Sequence, residues 1–254
     1  MEKVMKKNLL LFVLLISSRW LQSITIIGHR GAAGCAPENT LSSFAVAIAA
    51  GVDIIEFDVW KCASDELMVF HDAILDRITN GTGRLQAKTL HELKKLRVLE
   101  YETIPTLIEV LDFVDRRVKV YIELKDEYSA HDVVQLIEYY IQNKGWEYAD
   151  FIVASFDHWQ LREVKHINKN ISVAALFYGI PITLAASASE ISASITCVDA
   201  EFITQRFVDD IHNRSMLAYV FTVNDADTLI HILHYGIDGI ITDYPHYICT
   251  FFSS

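Results

Sequence analysis

Cysteine is scarce and badly spaced for metal binding: Cys35, Cys62, Cys197 and Cys249 form no pair of the kind that holds zinc. Cys35 and Cys62 each follow a candidate strand, so an oxidising compartment would permit a bridge, but free or buried thiols are the simpler expectation. A basic run is missing as well. With 22 Lys and Arg against 33 Asp and Glu, the formal net charge is -11, which sets a nucleic-acid surface aside. An anionic substrate would then need a local cation, because long-range attraction would not deliver it. No linker-like or low-complexity stretch divides the chain. The glycines after the first apolar run, Gly28, Gly31 and Gly34, lack the spacing of a dinucleotide-binding loop, which counts against an open doubly wound sheet.

What is present is one sizeable core and an unusual N-terminus. Of the 254 residues 52% are hydrophobic and 22% charged, an ordinary globular balance. In residues 1–23, Lys3, Lys6 and Lys7 precede the apolar stretch Leu9 to Ile16, followed by Ser17 and Ser18. That is the layout of a signal peptide or short N-terminal membrane anchor, too short to span a bilayer comfortably and without a small-x-small cleavage pattern. The expectation is export (periplasmic or secreted) or membrane association, with a cytoplasmic location if the segment is not a working signal. Residues 24–254 are expected to form the folded domain.

From Ile24 onward, apolar strand-like runs alternate with amphipathic helical stretches. Strand candidates occupy 24–28, 53–59, 67–71, 118–124, 151–156, 171–178, 195–200, 217–223 and 238–242. Between the first two lies "TLSSFAVAIAAG", a helix pattern with Asn39 or Thr40 as N-cap and Gly51 beyond its end. Near-continuous apolar strands interleaved with helices indicate a parallel sheet covered by helices, hence an α/β fold of the TIM-type (β/α)8 barrel class. Nine candidates compete for eight places. The connection from Val59 to Leu67 is shorter than a helical crossover needs, so the fold is expected to be irregular around the second and third strands. Residues 67–71 are either a hairpin partner or a barrel strand.

Side chains two apart on a strand share a face, so Glu56 and Asp58 in "DIIEFDV" point together, as do Tyr121, Glu123 and Lys125 in "VYIELK". Carboxylates on otherwise apolar strands must neutralise or find a cation. Lys125 and Arg30 each answer one acid, and a third leaves an excess that suits a divalent metal. Oxygen-only ligands indicate a hard ion, Mg²⁺, Ca²⁺ or Mn²⁺. An ion-pair network explains Glu56 and Asp58 equally well; Glu123 on a second apolar strand tilts the reading toward metal. His29 and His71 both end strands, where catalytic residues of such barrels sit, and are placed for acid–base work. The other eight histidines have no constellation around them.

These pieces also resemble a known family. "HRGAAGCAPENT", "GVDIIEFDV", "VFHD" with "RITNGTG", "IELK" and "GIDGIITDYP" follow one another in the order found in glycerophosphodiester phosphodiesterases, over about Ile24 to Tyr247. The resemblance implies metal-dependent hydrolysis of glycerophosphodiesters to sn-glycerol 3-phosphate and an alcohol on a TIM-type barrel. It implies Glu56, Asp58 and Glu123 as metal ligands, His29 and His71 as catalytic histidines, and Arg30 and Lys125 as substrate-binding, phosphate-side cations. Two departures stand out: Glu66 replaces a glycine after Asp65, and Phe221 occupies a slot where tryptophan is common, with Asn224 retained. The expected partner is a small glycerophosphodiester. The rival activity is a lysophospholipase D-type reaction on lysophospholipids, and the rival of another class is a catalytically idle, membrane-attached binding barrel. The latter would lack a histidine or a metal acid, and none is missing.

Overall fold

The computed structural model describes residues 24–252, so the segment read above as a signal or anchor, residues 1–23, lies outside the described residues. Among the described residues no helix is long and apolar enough to cross a membrane. The strands are β1 (Thr25–Gly28), β2 (Ile54–Lys61), β3 (Leu67–Val69), β4 (Lys119–Leu124), β5 (Phe151–Ser155), β6 (Ser172–Phe177), β7 (Ile195–Asp199), β8 (Leu217–Phe221) and β9 (Gly239–Thr242). All except β3 pair in parallel in the order β1-β2-β4-β5-β6-β7-β8-β9, and β9 returns to β1 through pairs such as Ile26 with Ile240. The sheet is thus a closed eight-stranded barrel, which leaves no exposed edge in the ring.

The ninth candidate is the hairpin partner. β3 runs antiparallel to β2 outside the ring, with Val59 opposite Val69 and Lys61 opposite Leu67. The turn between them closes by the Cys62 amide donating to the Glu66 carbonyl at 2.9 Å. Its left-handed residue is Asp65, at φ +74°, and Glu66 does not adopt positive φ. Aspartate tolerates that region better than most side chains, so the glycine departure leaves the turn intact.

The helix Leu41–Ala50 follows β1. Thr40 is its N-cap, accepting from the Ser43 amide, and Gly51 ends it at φ +86°. Helices Leu107–Val114, Ala130–Lys144, His158–Ile167, Gln205–Asn213 and Ala226–Leu233 cover the outside of later strands, with a shorter turn of helix at Ala186–Glu190 before β7. Pro245–Phe252 closes the ring against Leu41–Ala50.

Strand alternation sorts side chains into two cores. Ile55, Phe57 and Val59 of β2 and Val120, Ile122 and Leu124 of β4 point outward into the layer between sheet and helices. Ile27, Ile54, Tyr121, Ile152, Ile195 and Tyr219 fill the barrel interior. Each fully buried Ile, Phe or Leu stabilises the fold by roughly 1.5–3 kcal/mol relative to exposure. A third cluster, including Trp60, Cys62, Met68 and Phe70, packs beneath the β2–β3 hairpin and the long excursion that follows. Cys62 is buried there while Cys35 is exposed, and both are free thiols, so the bridge between them is not formed.

Candidate active site

Chain reversal after β1 builds the first wall. Arg30 (φ +47°) and Gly31 (φ +83°) are both left-handed. The turn lets the Arg30 amide donate to Glu56 Oε2 at 2.7 Å, while Ser43 Oγ donates to the Arg30 carbonyl at 2.8 Å. A Cβ at Gly31 would lie 2.6 Å from Ser43 Oγ and 2.7 Å from the Ser43 carbonyl carbon, so only glycine fits.

The acids rise from the barrel interior. In β2 the inward positions run Ile54, Glu56, Asp58, and register sets Asp58 beside Glu123 of β4. One carboxylate oxygen of each of Glu56, Asp58 and Glu123 lies within 4.8 Å of the others. Lys125 Nζ donates to Glu123 Oε1 at 2.7 Å and stands 3.3 Å from Asp58 Oδ1. Asn39 Nδ2 donates to Asp58 Oδ2 at 2.8 Å. Burial and the charges of Asp58 and Glu123 push Glu56 well above the usual carboxylate range. Burial and Asp58 push Glu123 up to about 7. Burial acts to raise Asp58 too, but Lys125, His71, Arg30 and Asn39 outweigh it and hold Asp58 low.

Each strand-end histidine is tied to a carboxylate through Nδ1. His29 Nδ1 meets Asp243 Oδ1 at 2.6 Å, across a sequence separation of 214. Asp243 Oδ2 accepts from Asn224 Nδ2 at 2.6 Å. His71 Nδ1 meets Asp72 Oδ1 at 2.6 Å. Asp72 is held by Arg77, Arg77 also reaches Glu38, and Glu38 accepts from Arg30 at 2.8 Å. Burial is the first cause that holds His71 below the ordinary imidazole value. These ties leave Nε2 of both rings to exchange a proton with a ligand.

Six of the seven residues singled out in the sequence, His29, Arg30, Glu56, His71, Glu123 and Lys125, line one cavity of about 220 Å³ at the C-terminal ends of the strands. Asp58 lies just behind them, only 1% exposed. Asn39, Asp243, Asp72, Arg77, Glu38 and Asn224 complete the network and were not assigned from the sequence. Asn39 had read as one of two N-cap choices; Thr40 caps the helix and Asn39 turns to Asp58 instead. Each of these added residues lies in or beside a stretch the sequence already singled out: Glu38 and Asn39 in "HRGAAGCAPENT", Asp72 beside His71, Arg77 at the start of "RITNGTG", Asn224 after Phe221 and Asp243 in "GIDGIITDYP". No local spacing tied them to the histidines and acids.

The donor set fits a hard divalent cation. Three converging carboxylates, once all are ionised, carry one charge more than Lys125 and Arg30 answer, and without a further cation mutual repulsion and burial raise Glu56 and Glu123 toward the neutral form. All three side chains offer oxygen donors, and no other group of this kind occurs among the described residues.

Comparison with known proteins bears on the whole domain. The model of the glycerophosphoryl diester phosphodiesterase family matches residues 29–247. A glycerophosphodiester phosphodiesterase of Bacillus altitudinis is 32% identical over 232 residues, covering 87% of this chain and 94% of that one. Another, from Caldanaerobacter subterraneus, is 30% identical over 234 residues, with 87% and 94% covered. The solved structure of an Oleispira antarctica phosphodiesterase in complex with the product sn-glycerol-3-phosphate superposes with a TM-score of 0.83 at 27% identity, covering 91% of this chain and 97% of that one.

Proposed function

The chain belongs to the glycerophosphoryl diester phosphodiesterase family and is a phosphodiesterase, and on that premise we propose that it cleaves glycerophosphodiesters to sn-glycerol 3-phosphate and a free alcohol, with His29 and His71 as proton carriers and Glu56, Asp58 and Glu123 holding Mg²⁺ or Ca²⁺. The observation that carries the reading is the meeting of two carboxylate-tied histidines, three acids and two cations in one cavity.

Negative charge on the phosphoryl oxygens increases as a nucleophile attacks phosphorus. Lys125 and Arg30 flank the acids and meet that charge from fixed positions, so little reorganisation is needed. Arg30 Nε is buried without a hydrogen-bond acceptor, and Asp58 Oδ2 is 3.7 Å away, which leaves a donor for a phosphoryl oxygen. The divalent cation, when bound, supplies Lewis-acid stabilisation of the same charge. His71, kept neutral by burial, takes the proton of the attacking hydroxyl. Attack by water gives glycerol 3-phosphate directly, whereas attack by the glycerol 2-hydroxyl expels the alcohol to leave a cyclic phosphate that a water then opens to the same product. His29, its ring fixed by Asp243, delivers a proton to the leaving oxygen. Positioned proton transfer of this kind typically contributes ~100- to 10,000-fold.

The test is release of glycerol 3-phosphate from a glycerophosphodiester panel, before and after EDTA and after re-addition of Mg²⁺ or Ca²⁺. Reversible loss on chelation, with His29→Ala and His71→Ala both inactive yet folded, is expected. Undiminished turnover by the chelated enzyme would refute the metal assignment.

A further inference from the structure

The barrel mouth is divided into two unlike halves. The phosphate-side cations, the acids and both histidines come from β1, β2, β4 and the hairpin segment. The opposite arc, at the ends of β5 to β8, presents Phe156, Tyr178, Asp199 and Phe221 to the same cavity. Phe156 and Tyr178 stack face to face, with ring centroids 4.3 Å apart and an interplanar angle of 8°. Phe221 stands beside the stack at 5.9 Å and 6.0 Å, nearly perpendicular to both rings. Tyr178 remains 62% exposed, so one ring of the stack is open to a ligand.

Asp199 is in register with Phe221 across β7 and β8. Its Oδ1 accepts from the Glu201 amide at 2.8 Å, which fixes the carboxylate. Among the described residues no lysine, arginine or histidine forms an ion pair with it, in contrast to Asp58, Asp72 and Asp243. It is also the one charged residue that this arc contributes to the cavity lining.

A phosphoryl group seated among Arg30, Lys125 and the acids sends one ester arm toward this arc. Aromatic faces beside an unpaired carboxylate match a soft cation, which the ring quadrupoles and the carboxylate both attract. A neutral polyol can hydrogen-bond to the carboxylate but gains neither the charge attraction nor the cation–ring contact, and an anionic arm meets repulsion from Asp199. We propose that the β5–β8 arc is the subsite for a cationic alcohol, so that glycerophosphodiesters with a quaternary or primary ammonium head group are the preferred substrates. The inference rests on the phosphodiesterase reading above and names the alcohol that reading leaves open.

Rates on glycerophosphocholine and glycerophosphoglycerol, compared in one metal-supplemented buffer, test it. The expected choline-to-glycerol ratio of kcat/KM is about tenfold, and it falls several-fold in Asp199→Asn and, separately, in Tyr178→Leu. Choline chloride should inhibit glycerophosphoglycerol hydrolysis competitively, while its uncharged isostere 3,3-dimethylbutan-1-ol at the same concentration should not. A ratio near one, a ratio unchanged in both variants, or equal inhibition by the two alcohols overturns the cationic subsite and leaves the phosphodiesterase reading standing. Release of glycerol 3-phosphate from neither substrate overturns both.

Discussion

Replacing Asp243 by asparagine should disable His29 while leaving the fold almost untouched. Asn224 is pinned: its Oδ1 accepts from the Asp243 amide at 2.9 Å and from Thr242 Oγ1 at 3.2 Å. Its Nδ2 therefore has to donate to the side chain at position 243, as it now does to Oδ2 at 2.6 Å. In the variant the amide oxygen stays with Asn224, and the new NH₂ group faces His29 Nδ1. That donor compels Nδ1 to accept and moves the ring proton to Nε2, the opposite tautomer from the one a carboxylate selects. An imidazolium would then meet N–H with N–H. The expected loss in kcat is about 100- to 10,000-fold, the range associated with a misassigned or missing proton carrier. The hydrogen-bond count is nearly preserved, so the stability loss should be only about 1 kcal/mol, or ~2–4 °C in Tm for a chain of this size. Asp243 is held below its ordinary value of 3.8, with burial opposing and His29 and Asn224 prevailing. A depressed carboxylate stabilises the fold fully above its unfolded value and loses that contribution as pH falls through the folded one. The Tm gap between variant and parent should therefore be constant down to about pH 4 and close below it. Initial rates of glycerol 3-phosphate release at saturating glycerophosphocholine decide the matter. A kcat within about threefold of the parent, in an enzyme that His29→Ala inactivates, would refute the claim that Asp243 sets the His29 tautomer.

Metal binding should displace protons, because Glu123 sits at about 7 and Glu56 is also raised. Affinity is expected to fall at least about tenfold per pH unit below pH 7, with proton release visible by calorimetry in two buffers of different ionisation enthalpy. An affinity flat between pH 5.5 and 7 would contradict it. Gly31→Ala combines positive φ with a Cβ 2.6 Å from Ser43 Oγ. Urea unfolding should show a loss of roughly 2–4 kcal/mol, and parent-like stability would show that the turn relaxes freely. A thiol reagent should label the exposed Cys35 in the native protein and reach the buried Cys62 and Cys197 only after unfolding. Rapid native labelling of Cys62 would mean that the hairpin cluster opens.

Much of the site was legible because strand periodicity is local. Two-residue spacing alone aligned Glu56 with Asp58 and Tyr121 with Glu123 and Lys125, and apolar neighbours on each strand already required those charges to be answered. The alternation of strand and helix patterns likewise indicated a helix-covered parallel sheet, and the glycine spacing after the first strand favoured a barrel over a doubly wound sheet. The short connection after Val59 narrowed residues 67–71 to two choices, and antiparallel pairing with β2 settled on the hairpin. Ring closure decided the rest. β9 lies beside β1 because the sheet curls through eight strands, and only that contact brings Asp243 to His29. Asn39 left its capping alternative because a buried Asp58 needs a donor more than a helix already capped by Thr40 needs another. The aromatic arc of Phe156, Tyr178 and Phe221 is spread over three strands, with no sequence spacing to announce it. Local pattern determines which face a side chain occupies; which faces meet is a property of closure, and only the tertiary structure carries it.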